Sequence, residues 1–307
     1  MTLGGIWAAV LTPCDAAGQI DLPRWVAHGR RLLAQGCHGL ALFGTTSESQ
    51  AYTVAERQTA LEAAVTAGLA PARLMVGVGC CARGDTVALA RHALALGITR
   101  LLVLPPFFYK NNTDEGLYRA FAEAIEGTGD SRLEVLLYHF PQVSGVPVTR
   151  GVIERLLATY PAQLRGLKDS SGDLAHTRGL IAAFPGLAIF AGADNHLLDV
   201  LTTGGAGTIS AAANINAAAS RAVHDAFRAG ERGAAEAGME LVRDVRAALQ
   251  RRPLIAGLKA VIAATGGDPA WRRVRPPLVE LPEAETDALL AELAVAGWRP
   301  AASPRAA

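Results

Sequence analysis

"EVLLYHFPQVSGVPVTRGVIERLLATYPAQLRGLKDSSGD", residues 134–173, carries the reading on which the fold turns. A short apolar run, Glu134–Tyr138, ends in a loop marked by Pro141 and Gly145. Arg150–Ala158 then repeats apolar residues at helical spacing, and Leu164–Lys168 is a second short apolar run that closes on an Asp-Ser-Ser-Gly turn. Strands joined through a helix in this way lie parallel, with a right-handed crossover.

The same alternation extends in both directions. Strands are predicted over Gly5–Leu11, Gly39–Phe43, Leu74–Val78, Leu101–Leu104, Ala188–Ala191 and Gly207–Ser210, which brings the total to eight. Helical spacing fills the intervals: Leu22–Ala34, Val54–Ala67, Thr86–Leu96, Asp114–Ile125, Leu174–Phe184 and Asn195–Thr203. Asp21 with Pro23, Thr53 with Glu56, and Asp85 stand where helices start, while Gly36, Gly68 and Gly97 stand where they stop. Eight units predict an α/β protein, a closed (β/α)8 TIM barrel. An open doubly wound sheet fits less well, because no G-x-G-x-x-G follows the first strand.

The barrel is assigned to residues 1–225. Residues 226–300 are expected to form a helical appendage packed on it as one structural unit, since no Ser/Gly/Pro-rich linker intervenes. Helical spacing there covers Ala217–Leu249, Leu254–Thr265 and Glu283–Ala296, the Pro-rich "VRPPLVELP" reads as a loop, and residues 301–307 as a frayed tail.

Composition narrows the function. Half of the 307 residues are hydrophobic and the net charge is +1 without a basic block, which gives no footing for nucleic acid. No apolar run is long enough to predict a membrane span, and the N-terminus lacks the basic leader of a signal peptide. Cys14, Cys37, Cys80 and Cys81 show no metal-type spacing and read as reduced, buried thiols of a cytoplasmic protein. The partner expected is a small molecule.

Barrels of this kind do their chemistry at the C-terminal ends of their strands. Lys168 closes strand 6 in a chain with only three lysines and a strong preference for arginine. A lysine past a strand end is commonly a solvated charge. But lysine, unlike arginine, can give up its proton when desolvated, and a neutral amine forms a Schiff base with a carbonyl. Tyr138 ends the neighbouring strand, about 5 Å away in a parallel pair, and is either a packed core tyrosine or a phenol that shuttles the protons of imine formation. "GTTSES" after strand 2 places Gly44, Thr45, Thr46 and Ser47 in a turn that can cap a helix or cradle a carboxylate.

These stretches together resemble the dihydrodipicolinate synthase / N-acetylneuraminate lyase family of pyruvate-dependent class I aldolases. The family patterns Gly-Thr/Ser-Thr-Gly-Glu, Tyr-Asn-x-Pro-x-x-x-Gly and Gly-x-Lys-x-x-x-Gly read here as Gly44–Glu48, Tyr138–Gly145 and Gly166–Gly172. They stand in register with "GIWAAVLTP" at the start and "GGAGTISAAAN" at strand 8. The resemblance implies that Lys168 forms a Schiff base with pyruvate or another 2-oxo acid and that Tyr138 is the general acid/base. Thr45 and Thr46 would bind the carboxylate, with Thr46 also relaying protons. Gly44, Ser47, Ser170 and Ile209 would be further substrate-binding positions. No cofactor beyond the covalent Schiff base is implied, and no metal: the seven histidines show no ligand spacing. The partners implied are a 2-oxo acid and an aldehyde, in a homotetramer built as a dimer of dimers.

Departures from the pattern bear on the substrate. Val143 stands where dihydrodipicolinate synthases carry an arginine for the aldehyde's carboxylate, and an aliphatic side chain cannot make that bidentate contact. "PQVSGV" resembles the loop of neuraminate lyases and 2-keto-3-deoxy sugar-acid aldolases instead. Phe107 and Phe108 occupy the place of a relay tyrosine that crosses a subunit interface, with Tyr109 a possible substitute by a backbone shift. "GADN" offers Gly192, Asp194 and Asn195 either for substrate hydroxyls or, through Asp194, as a helix cap. The reading is a lyase that cleaves or forms a 2-oxo-3-deoxy sugar acid or related 4-hydroxy-2-oxo acid. A 4-hydroxy-tetrahydrodipicolinate synthase, a 2-oxo-3-deoxy acid dehydratase and a non-catalytic oxo-acid-binding barrel remain as alternatives.

Overall fold

The computed structural model describes residues 3–300. Eight parallel strands close into a barrel in sequence order. They are β1 (Gly5–Ala9), β2 (Gly39–Leu42), β3 (Leu74–Gly77), β4 (Arg100–Val103), β5 (Glu134–His139), β6 (Leu164–Asp169), β7 (Ala188–Ala191) and β8 (Gly207–Ser210). The helices that follow them are α1 (Leu22–Ala34), α2 (Val54–Thr66), α3 (Arg83–Ala95), α4 (Asp114–Thr128), α5 (Arg150–Thr159), α6 (Leu174–Ala183), α7 (Leu197–Thr202) and α8 (Ala213–Arg228). All eight predicted strands are present, and boundaries move by two residues or fewer.

Several helix starts rest on side-chain caps. Asp21 accepts the Arg24 N–H, Thr53 and Glu56 form a reciprocal capping box, and Asp173 accepts the N–H groups of Ala175 and His176. Each such cap contributes about 1 kcal/mol. Burial contributes far more, roughly 1.5–3 kcal/mol for each fully buried large aliphatic side chain. One core lies between strands and helices, and a second, including Trp7, Met75, Leu102, Leu136 and Phe190, fills the barrel interior. Alternation sorts them: Leu137 joins the outer core, while Leu136 and Tyr138 point inward.

Besides a single helical turn at Pro141–Ser144, three helices remain: α9 (Arg232–Gln250), α10 (Leu254–Gly266) and α11 (Glu283–Val295). The single helical run expected over Ala217–Leu249 is therefore two helices. Gly230, at φ +78°, turns the chain between α8 and α9, a conformation that glycine adopts without the clash a Cβ would bring. A third apolar cluster joins Leu11 and Ala212 to Val245, Leu258, Leu289 and Leu293, and so roots these helices in the barrel. Residues 301–307, read as a frayed tail, lie outside the described residues. The four cysteines are free; Cys14 and Cys37 are buried as expected, but Cys80 is half-buried and Cys81 is exposed.

Candidate active site

β5 and β6 pair with Tyr138 opposite Lys168. Both side chains are nearly fully buried, and both reach a cavity of about 900 Å³ at the C-terminal end of the barrel. The Lys168 Nζ lies 4.2 Å from the centre of the Tyr138 ring. The Tyr138 hydroxyl bonds the Thr45 Oγ1 at 3.2 Å, and its ring stacks on Phe140. Amine, phenol and alcohol thus stand in one connected group.

That geometry corrects one expectation: Thr45, not Thr46, meets Tyr138. Thr45–Ser47 form a 3-10 turn, which rotates successive side chains by a third of a turn, so adjacent hydroxyls diverge. Thr46 still lines the cavity, and the N–H groups of Thr45 and Thr46 open the turn, where no intraturn acceptor exists. Ser47 does not line it. Its hydroxyl donates to the Val10 carbonyl at 2.5 Å and its N–H to the Gly44 carbonyl at 3.1 Å, so it ties the turn to β1. Gly44 faces an adjoining apolar cavity of about 440 Å³ that also reaches Thr45, Tyr138 and Val143.

Phe43 and Glu48 bracket this turn with φ values of +54° and +57°, where residues with a Cβ are strained. The Glu48 carboxylate holds it in place. One oxygen pairs with the buried Lys259 of α10, and the other accepts the Arg275 N–H at 2.8 Å. Arg275 in turn donates to the Gly18 and Ala51 carbonyls at 2.6 Å each. The Pro-rich loop that reads as a plain connection also supplies Pro277, Leu278 and Val279 to the cavity wall.

Behind Lys168, Asp169 points away from the barrel axis. It accepts the Ser171 N–H at 2.9 Å and the Thr177 hydroxyl at 2.7 Å, and pairs with the His176 ring at 2.8 Å. Burial pushes the Asp169 carboxyl up, yet the hydrogen bonds from His176, Ser171 and Thr177 together hold it below its ordinary value. His139 stacks on His176, and its Nδ1 accepts the Val148 N–H at 3.0 Å. His139, Asp169 and His176 bring ligand-type atoms within 4.8 Å of one another, a grouping that sequence spacing does not reveal because two strands and a helix assemble it. Protein hydrogen bonds already engage both Asp169 oxygens and the His139 Nδ1.

Ser170 and Gly192 line the cavity side by side. A Cβ on Gly192 would lie 1.9 Å from the Ser170 Oγ, so only glycine fits there. Val143 is 56% exposed at the cavity mouth. Two further predicted contacts, like Ser47, fall elsewhere. Ile209 is buried in the barrel interior with Tyr138 and Phe190 and does not line the cavity. Asp194 is fully buried as well, because the 3-10 turn Asp194–His196 carries its side chain off the cavity wall and leaves Asn195 and His196 there. Burial raises the Asp194 carboxyl above the ordinary range, although Arg246 and Ser210 lie near enough to oppose this.

Arg246 and Gln250 of α9 line the cavity too. Sequence reading missed both, since on a helix with an apolar face they look like ordinary polar residues. Gln142, which bonds the Ser171 carbonyl across the mouth, was also missed.

A model of the "Dihydrodipicolinate synthetase family" matches residues 2–296. An "uncharacterized DapA-like lyase" from Chloroflexus aurantiacus is 40% identical, over 96% of this chain and 98% of its own. A 4-hydroxy-tetrahydrodipicolinate synthase from Streptomyces coelicolor is 35% identical, over 92% of this chain and 90% of its own. Among solved structures, dihydrodipicolinate synthase from Agrobacterium tumefaciens superposes with a TM-score of 0.86 at 31% identity, covering 95% of this chain and 98% of that one. A prophage protein of the same family from E. coli K12, in complex with pyruvate, reaches a TM-score of 0.89 at 26% identity, covering 97% and 100%. With that match over nearly its whole length, the chain belongs to the dihydrodipicolinate synthetase family and is a lyase of the pyruvate aldolase kind.

Proposed function

We propose that this enzyme is a metal-independent class I aldolase that cleaves or forms a 2-oxo-3-deoxy sugar acid or related 4-hydroxy-2-oxo acid, with pyruvate as one partner. The observation that carries this is the Lys168 amine, buried against the Tyr138 ring at the edge of a cavity much larger than pyruvate. The unprotonated Lys168 amine attacks the C2 carbonyl, and the carbinolamine loses water to give an iminium. Removal of the proton from the C4 hydroxyl breaks the C3–C4 bond, its electron pair passes to the iminium as an enamine, and an aldehyde leaves. Protonation at C3 and hydrolysis then free pyruvate. Tyr138, through Thr45, takes the C4 hydroxyl proton, returns a proton to C3, and donates and accepts the protons of the imine steps.

Thr46 and the turn N–H groups bind the 2-oxo acid's carboxylate, and Ser170, Asn195 and His196 face the rest of the substrate. Borohydride reduction in the presence of pyruvate is expected to add a pyruvyl group to Lys168, read by peptide mass spectrometry. No adduct, or an adduct that survives Lys168→Ala, rejects the mechanism.

The 4-hydroxy-tetrahydrodipicolinate synthase reading draws support from the Streptomyces coelicolor relative. Val143, which cannot hold a carboxylate, speaks against it. Pyruvate condensation with aspartate semialdehyde at a rate comparable to sugar-acid cleavage would favour the synthase. We further propose a cytoplasmic homotetramer. Four free cysteines fit a reducing compartment, and Phe108 and Tyr109, 72% and 75% exposed, fit a surface covered by a second subunit. Among the described residues no helix is long and apolar enough to cross a membrane. Light scattering that returns a monomer's mass rejects the assembly.

A further inference from the structure

Arg246 is the anomaly of the cavity wall. Its Nε and Nη1 atoms are buried with no hydrogen-bond partner. It forms no ion pair among the described residues, although Arg243, one turn earlier on the same helix, reaches Asp199 at 3.9 Å. Burial presses the guanidinium below its ordinary value without discharging it. Leaving such donors unsatisfied is costly, and the loss is recovered when an acceptor arrives. Asp194 does not fill that need: it is buried behind the wall, and its two carboxylate oxygens also lack well-formed hydrogen bonds.

The position is equally specific. Gly192 abuts Ser170, two residues after Lys168. The Asp194–His196 turn that follows packs on α9, which presents Arg246 and, four residues on, Gln250 to the same cavity as Lys168. A cavity of about 900 Å³ leaves room beyond a bound pyruvate.

We propose that Arg246 binds an anionic group at the far end of the aldehyde half, so that the preferred substrate is a dianion: a 2-oxo-3-deoxy aldaric acid, carboxylate at both ends. This rests on the aldolase reading of Lys168. The absence of an arginine at Val143 is thereby offset from a different element, and Gln250, Asn195 and His196 face the hydroxyls between the two carboxylates.

The test compares pyruvate release from a 2-oxo-3-deoxy aldaric acid, the aldonic acid of equal length ending in a hydroxymethyl group, and that aldonic acid bearing a terminal phosphate. Wild-type kcat/KM is expected to favour the dicarboxylate over the hydroxymethyl compound by about 10- to 100-fold, the size of hydrogen bonds to a charged group. In Arg246→Leu this ratio falls to near one, and in Arg246→Lys it is intermediate. A ratio near one in the wild type, or a ratio unchanged in both variants, overturns the proposal. So does a clear preference for the phosphate compound over the dicarboxylate. Arg246→Lys keeps the charge beside Asp194, which guards against a misfolded Arg246→Leu protein. Borohydride trapping of pyruvate on wild-type Lys168 separates the two readings: no adduct sinks the aldolase itself, whereas an adduct without discrimination sinks only the anion site.

Discussion

On the proposed mechanism Tyr138 stands at the centre of the proton traffic, with its ring against the Lys168 amine and its hydroxyl on Thr45. Tyr138→Phe keeps the packing and removes the hydroxyl proposed to carry protons, so kcat is expected to fall by about 10²–10⁴-fold, the usual worth of a general acid/base. A rate within tenfold of wild type would show that another group moves the proton. The two threonines separate cleanly on the same logic. Thr45→Val is expected to lower kcat with little change in pyruvate KM, whereas Thr46→Val raises KM. Steady-state kinetics of both variants decide it, and the reverse pattern would restore the relay to Thr46. At this scale the lysine and tyrosine were legible as residue types at strand ends. The choice between adjacent threonines was not, because it depends on the rotation of a single turn.

The strand-2 turn is an element whose shape is held from outside. Phe43 and Glu48 sit in the left-handed region, and Glu48 is fastened by Lys259 and by the Arg275 N–H, both from the C-terminal helical part of the chain. The shape of this turn thus depends on residues more than two hundred positions away. Lys259→Met leaves a buried carboxylate unpaired and is expected to destabilise the fold by about 3–5 kcal/mol. The double variant Glu48→Gln/Lys259→Met is expected to recover much of that loss. Urea denaturation of the three proteins measures it, and equal stability of the single variant and wild type would refute a structural role for the pair. The sequence shows Glu48 in a motif and Lys259 in a helix, but nothing in their spacing joins them.

Across the whole molecule, His28 sits where the barrel closes. It bonds Asn214, whose amide also receives the Leu11 N–H at 3.1 Å and donates to the Ala9 carbonyl at 2.8 Å, linking α1, β1 and α8. Burial, with Arg31 adjacent, lowers the His28 pKa to about 3, from the ordinary 6.5. The unfolded chain therefore takes up a proton that the folded one refuses. Its contribution is complete above about pH 6.5 and shrinks as pH falls toward 3, by roughly 1.4 kcal/mol per unit. Urea unfolding at pH 7, 6 and 5 is expected to show this slope, flattened in His28→Gln; an unchanged slope in that variant assigns the loss to other groups. What the sequence by itself determined were the eight strands, their parallel order and the strand ends that bear Lys168 and Tyr138, because apolar periodicity and capping are local and the crossover rule leaves one closed arrangement. Tertiary structure alone decided that Thr45 meets Tyr138, that Asp194 and Ile209 leave the cavity wall, and that Arg246 joins it. Those outcomes depend on how distant segments pack, and a buried charge reveals itself only when its neighbours are in place.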